Sequence, residues 1–314
     1  MAPPTEKVLV FGATGVIGRY ITNALVNAQP PFKRIGIYTS ADTVERKAAE
    51  IQALKNKGVD VFVGSFNDED KILEVYKGFD TVVSAVGRNV IAEQIGLIKL
   101  AEQSPSIARF FPSEYGTDIK YGPQSATEKP HQLKLKVRAY LESDAVNRLE
   151  YTYLVTGPYA DLYIQKSAHA PEAGTFDVRA KKATLLGDGD GRISLTTMDD
   201  VGKLVTAALQ HPEHTANRAL IVNSFTTTPK EILAEFERQT GGDKWAVEYT
   251  PLPALEQAEA RAWDQGVPYA AVFTLRRIWT QGGTLYEGRD NDLVKAPESE
   301  TLGEAVAKAV EAQG

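Results

Sequence analysis

Along the first half of the chain, short apolar runs alternate with stretches in which apolar positions recur every three or four residues. The runs KVLVFGA, RIGIYTS, VDVFVGS, FDTVVSAVG and IARFFPS are apolar without alternation, the pattern of parallel strands covered on both faces. Between them lie helical patterns. In residues 16–28 the pairs Val16 and Ile17, Tyr20 and Ile21, and Ala24 and Leu25 return every four positions, which draws one stripe toward a sheet. Similar patterns fit 42–57, 69–77 and 90–103. Strand and helix repeated with short connections predict right-handed crossovers and an α/β fold, a Rossmann-type doubly wound parallel sheet.

Residues 131–146, HQLKLKVRAYLESDAV, predict another helix, and YTYLVTG a sixth strand. Past residue 157 the rhythm loosens. KKATLLGDGDG reads as a strand running into a turn, 198–210 as a helix capped by Thr196 or Thr197, and RALIVNS as a strand. A Thr-capped helix over 228–240 ends at Gly241 and Gly242, and WAVEYTP then precedes one or more C-terminal helices. The chain is thus expected to divide into a Rossmann domain, residues 1–156, and a second, smaller lobe, residues 157–314, interleaved with the last sheet strands.

Composition narrows the functional classes. The chain has 314 residues, 43% hydrophobic and 24% charged, values of an ordinary soluble globular protein. A net charge of −6 supplies no basic field, so neither nucleic acid nor a membrane surface is an expected partner. There is no cysteine, which removes disulfides, thiolate metal sites and thiol nucleophiles together. The start, MAPPTEK, lacks an apolar signal core, and no apolar run approaches the roughly 20 residues that span a bilayer. A cytoplasmic location is the expectation. His131, His169, His211 and His214 are too scattered to predict a metal site.

The segment VLVFGATGVIGRY places Gly12, Gly15 and Gly18 directly behind the first strand. Glycine in an element interior costs about 0.5–1 kcal/mol relative to alanine, so three at fixed spacing imply a close approach to bare backbone. The first permits a tight turn, the second lets a pyrophosphate approach, and the third lets helix and strand pack closely. With Thr14, Val16 and Ile17 between them, they form a candidate anion cradle at a helix N-terminus. At the end of the second strand, in RIGIYTSADTVERK, Tyr38, Thr39 and Ser40 offer hydroxyls and Arg46 and Lys47 follow. No acid stands at the strand end itself, which favours NADP(H) over NAD, although Asp42 is near. The carboxyl ends of the later strands add Ser65 and Phe66, then Ala85, Val86 and Gly87, then Ser113 and Glu114. The first 156 residues are therefore read as an NADP-binding domain.

None of the thirteen tyrosines is followed by lysine at the fourth position, so the proton donor usual in short-chain dehydrogenases is missing. Several segments nonetheless carry a resemblance: GATGVIG, FFPSEYG at 110–116, KLKVRAYLES at 134–143, EYTYLVTGPYADLY at 150–163 and GDGDGRISLTTMDDVGKLV at 187–205. Together they resemble the isoflavone-reductase-like group, which includes the phenylcoumaran benzylic ether reductases, within the NmrA-like atypical short-chain dehydrogenases. The similarity runs nearly end to end. It implies a catalytic, proton-handling role for Lys134, four residues before Arg138, and contacts to the cofactor region from Lys134, Gln94, Gly157 and Pro158. It also implies a substrate wall holding Tyr115, Tyr159 and Tyr163. Aromatics from Phe176, Trp263, Tyr269, Phe273 and Trp279 are further candidates for an apolar pocket. The expected activity is an NADPH-dependent reductase that transfers hydride to an aromatic or conjugated small molecule, acting as monomer or homodimer. An NmrA-like regulator that senses NADP(H) without catalysis, and a redox-neutral biosynthetic enzyme, are the alternatives. The second strand lacks the family's arginine, and the segment after the sixth strand lacks its asparagine and phenylalanine, so the substrate is not carried over.

Overall fold

A computed structural model describes residues 4–314. Strand β1 (Lys7–Phe11) alternates its fully buried side chains between two layers. Val8 and Val10 face one apolar core and Leu9 and Phe11 the other, so the continuous apolar run is explained by helices on both faces. Helix α1 (Gly18–Val26) lays Ile21 and Leu25 into the first of these cores.

Strand β2 (Arg34–Thr39) is followed by two helices instead of the single one expected over 42–57. They are α2 (Ala41–Arg46), capped by the Ser40 hydroxyl, and α3 (Ala48–Asn56). The break falls at Lys47, with φ −121° and ψ 35°, where the ammonium donates to the Thr14 carbonyl. Then come β3 (Asp60–Val63), α4 (Glu69–Tyr76) and β4 (Thr81–Ser84). A 3₁₀ segment over Arg88–Glu93 takes the first turns of the helix expected from residue 90, leaving α5 (Gln94–Gln103) and β5 (Arg109–Phe111). Helix α6 (Gln132–Leu141) stops short of residue 146. There Ser143 donates to the Tyr140 carbonyl and accepts from the Ala145 amide, a local turn that competes with the helix.

Strand β6 (Glu150–Val155) leads to the one-turn α7 (Ala160–Tyr163), then β7 (Thr175–Asp177), β8 (Lys182–Leu186) and β9 (Ile193–Leu195). Helix α8 (Met198–Gln210) is capped by Thr197, whose hydroxyl accepts from the Asp200 amide. It packs on α1 so closely that a Cβ on Gly202 would lie 2.5 Å from the Tyr20 carbonyl oxygen. Next are β10 (Arg218–Ile221), β11 (Phe225–Thr227), α9 (Pro229–Gln239) and β12 (Ala246–Thr250). A capping box joins Thr228 and Glu231 at the start of α9. Helices α10 (Leu252–Asp264), α11 (Ala270–Thr280) and α12 (Leu302–Gln313) complete the chain.

Seven strands form one parallel sheet in the order β10-β6-β5-β4-β1-β2-β3. The order reverses between β1 and β4, and a crevice opens at such a point, outside the carboxyl ends of the strands. β10 returns from the second half of the chain to pair with β6. The remaining strands build a three-stranded sheet, β12-β8-β7, and the pair β11-β9, over a separate core that includes Phe176, Leu185, Phe236 and Trp245. The strands β7, β9 and β11 have three residues each, too few to show a period of two in the sequence. Among the described residues no helix is long and apolar enough to cross a membrane.

Candidate active site

The crevice begins at the glycine turn. Gly12 holds φ +76°, and a Cβ there would stand 2.5 Å from the Ala85 carbonyl oxygen of the neighbouring strand's exit. A Cβ on Gly18 would come within 1.9 Å of the Gly12 carbonyl oxygen. Only bare backbone fits at either position. No side chain caps α1, and Val16, just ahead of it, is 59% exposed. The Arg19 and Tyr20 amides donate to the Gly15 and Ile17 carbonyls, and the amides of Val16, Ile17 and Gly18, without an acceptor among the described residues, stay open to an external anion, which the positive helix end favours. Thr14 is buried in the turn, and a cavity of about 990 Å³ starts at Gly15, Val16 and Ile17.

The residues expected around the adenosine end are distributed differently from one another. Tyr38 is buried and donates its hydroxyl to the Ser65 carbonyl at 3.2 Å, while Phe11 packs against both Tyr38 and Phe66. These rings belong to the sheet core. Thr39 is half-buried at the strand end, and Ser40 is spent on capping α2. Arg46 closes an exposed ion pair with Asp42, Nη2 to Oδ2 2.5 Å. Lys47, not Arg46, reaches the glycine turn.

Farther in, Ala85, Val86 and Gly87 form the lip after β4. Ser113 donates its hydroxyl to the Val86 carbonyl at 2.9 Å and its amide to Gln94 Oε1 at 2.8 Å. Gln94 is buried behind this wall, where its Nε2 donates to the Ile91 carbonyl. It holds the lip to the β5 exit and does not line the cavity.

Lys134 and Arg138, one turn apart on α6, divide the work of a buried charge cluster. Arg138 and Glu114 are 3% and 2% exposed and pair through two hydrogen bonds, Nε to Oε1 3.2 Å and Nη2 to Oε2 3.0 Å. The same guanidinium reaches Asp118 at 3.1 Å and covers the Tyr153 ring. Among the described residues Lys134 donates Nζ only to the Glu114 main-chain carbonyl, at 2.5 Å. The Glu114 carboxylate is thus occupied by Arg138, and the lysine keeps a neutral partner. Burial lowers the Lys134 ammonium to about 8, with Arg88 and Arg138 acting in the same direction and Glu114 against it.

The far wall comes from residues after 156. Gly157 turns with φ +65°, and a Cβ there would meet the Ser194 carbonyl oxygen at 2.9 Å. Pro158 follows on the cavity surface. Tyr159 donates its hydroxyl to the Tyr115 carbonyl at 2.6 Å, and Tyr115, Tyr159 and Tyr163 all line the cavity. Of the other expected aromatics, Trp263 and Trp279 line it as well. Phe176 and Phe273 are instead buried in the smaller cores, and Tyr269 stacks on His169. His131 went unsuspected in the sequence. It is buried on the cavity wall with Nδ1 3.2 Å from the Ser125 carbonyl and no partner at Nε2 among the described residues. Burial lowers its pKa, which keeps the ring neutral. Its only sequence signal was its place beside Pro130 at the start of α6.

Fold and crevice define an open doubly wound α/β protein with a cavity of about 990 Å³ at the switch point of its sheet. The chain belongs to the NmrA-like family, whose model matches residues 4–275. It is 28% identical over 291 residues to isoflavone reductase homolog P3 of Arabidopsis thaliana, covering 90% of each chain. It is 31% identical over 299 residues to the oxidoreductase aprR of Aspergillus flavus, covering 93% of this chain and 95% of that one. The solved complex of leucoanthocyanidin reductase from Vitis vinifera with NADPH superposes with a TM-score of 0.81 at 22% identity, over 97% of this chain and 99% of the other.

Proposed function

We propose that the protein is an NADP(H)-dependent reductase acting on an aromatic or conjugated small molecule, with Lys134 as its proton-handling residue. One observation carries the reading: a half-buried lysine held by a neutral carbonyl, its nearest carboxylate already taken by Arg138, on the wall of a cavity that begins at a bare glycine cradle. The dinucleotide fits the cradle because the bare backbone at Gly12, Gly15 and Gly18 leaves the space, and the amides of Val16, Ile17 and Gly18 the donors, that a pyrophosphate needs. When bound, it would supply a hydride from the nicotinamide ring.

The chain's own residues supply the rest. Tyr115, Tyr159, Tyr163 and Trp279 offer a largely apolar wall for a flat substrate and exclude water from it. Lys134, with a pKa lowered to about 8, keeps a proton to give at neutral pH, or stands as a fixed charge against a developing phenolate or enolate. Lys47 supports the preference for a 2′-phosphate through its position at the glycine turn. The relatives named as reductases and oxidoreductase support the reaction class.

The test is NADPH oxidation, followed at saturating cofactor, with a panel of phenolic and enone compounds. Turnover on at least one of them, lost in Lys134→Ala while NADPH still binds, is the expected result. Tight NADPH binding without turnover on any compound would instead support a cofactor-sensing protein.

A further inference from the structure

Although the chain carries 41 acidic and 35 basic residues, the main cavity is lined by five cationic side chains, Arg88, Lys129, Lys134, Lys166 and Arg276, and by no aspartate or glutamate. Four of the five have an account. Arg88 is at the exposed lip, Lys129 sits over the Trp263 ring, Lys134 is the proton-handling group, and Lys166 pairs with Asp177 at 2.7 Å. Arg276 does not.

Arg276, on α11, is 5% exposed and makes no ion pair among the described residues. Its Nη2 donates to the main-chain carbonyls of Tyr163 at 3.0 Å and Leu162 at 3.4 Å. Its guanidinium lies over the Tyr163 ring at 3.9 Å and near that of Trp279 at 5.7 Å. The neighbouring Arg277, by contrast, pairs with both Glu128 and Glu259. Carbonyl dipoles and ring faces hold a cation in place, but they do not neutralise it, and an isolated buried charge is costly. A planar fork of donors, laid against the Tyr163 and Trp279 rings on a cavity wall, matches a carboxylate presented by a flat molecule. The cofactor's phosphates do not answer this need, because their cradle is on α1 and Arg276 belongs to the wall that the second half of the chain provides.

We propose that the substrate of this site carries a carboxylate on an aromatic or conjugated frame, and that Arg276 is the residue that receives it. The proposal rests on the reductase reading and names its substrate class. Arg276 is then a binding residue on the wall that the second half of the chain provides, and it orients the molecule within the cavity.

Tryptophan fluorescence of the NADPH-loaded protein, titrated at pH 7 with 4-hydroxycinnamate, its methyl ester and its amide, tests this. The acid should bind at least about tenfold more tightly than either neutral compound, since only it can form the charge-assisted pair. In Arg276→Met the three affinities should converge, while Arg276→Lys should keep part of the preference. Equal affinities for acid and ester in the unaltered protein overturn the proposal even if the methionine variant fails to fold. So does no binding by the acid, or a preference that survives in Arg276→Met. Binding of NADPH, followed through its own fluorescence, separates the two claims. Its failure falls on the reductase reading and removes this proposal with it, whereas intact NADPH binding without acid preference strikes Arg276 alone.

Discussion

The two ends of the cavity are built by opposite means. At the glycine turn the backbone makes the site: one continuous segment, Gly12 to Gly18, whose shape is set by the absence of side chains. At the inner end side chains make it, drawn from the β5 exit, α6, the turn after β6 and α11, and no two adjacent in sequence do the same task. A backbone site is insensitive to chemistry but intolerant of volume. A side-chain site tolerates volume and depends on charge. The difference predicts that mutations at the glycine turn alter cofactor binding or folding, and those of the cavity-lining side chains at the other end alter turnover or substrate binding.

The largest effect should come from Lys134→Ala. Loss of a positioned proton donor typically lowers rate by about 10²- to 10⁴-fold, and kcat should carry that loss while the NADPH dissociation constant changes by less than about twofold, as the comparison requires. The same lysine sets a pH dependence. Its ordinary pKa of 10.5 is lowered to about 8, so the proton-donating form, and kcat/KM with it, should fall as pH rises through about 8. In stability the sign is the reverse. Between about 8 and 10.5 the unfolded chain holds this proton and the folded one does not, so Lys134 makes stability rise with pH over that window. A Lys134→Met variant should flatten that slope in denaturant titrations.

Arg138→Met should come next, chiefly as lost stability. Removing one partner of a buried ion pair costs about 3–5 kcal/mol because the other is left uncompensated, and here the abandoned groups are the buried Glu114 and, beside it, Asp118. The double variant Arg138→Met with Glu114→Gln should recover part of the loss. In any Arg138→Met protein that still folds, Glu114 is free to pair with Lys134, and the alkaline limb of activity should move above 8. An unchanged limb would show that the arginine does not govern the lysine.

These contrasts also explain what the sequence revealed. β1, the turn and α1 were legible because their signals are local: an apolar run, three glycines and a four-residue stripe within twenty positions. The parallel sheet followed by repetition. Lys134 was visible only through the family resemblance, because on α6 alone Lys134, Lys136 and Arg138 read equally well as a solvated face; Lys136 is in fact exposed. That Arg138 is buried on Glu114 depends on contacts 24 residues apart in the chain, and Arg276 meets Tyr163 across 113. No window along the sequence contains such pairs. The strands β7, β9 and β11 and the split at Lys47 were lost for the complementary reason, since each is shorter than the periodicity used to detect it.

At the cradle end, Gly18→Ala should destabilise by about 3 kcal/mol, read from the denaturant midpoint. Its Cβ would meet the backbone oxygen of Gly12 at 1.9 Å, which no rotamer change relieves. Gly87→Ala, on the same cavity but with nothing within 4 Å of an added Cβ, should fold as the unaltered protein does. If both glycines tolerated alanine, the claim that backbone shape makes this end would fail.

The smallest effect is the one that decides between neighbouring cations. Arg46 and Lys47 are adjacent, but Arg46 is committed to Asp42 on an exposed helix, whereas Lys47 crosses to the Thr14 carbonyl at the edge of the cradle. A 2′-phosphate arriving there can recruit the lysine by exchanging a neutral acceptor for a charged one, which favours the exchange. To recruit Arg46 it must first break a charged pair. Lys47→Met should therefore weaken NADPH binding by about tenfold, or about 1.4 kcal/mol, and leave NADH binding unaltered. Arg46→Met should change neither by more than about twofold. The ratio of NADPH to NADH affinity in the two variants is the measurement, and a larger loss from Arg46 would move the phosphate contact onto the exposed face of α2.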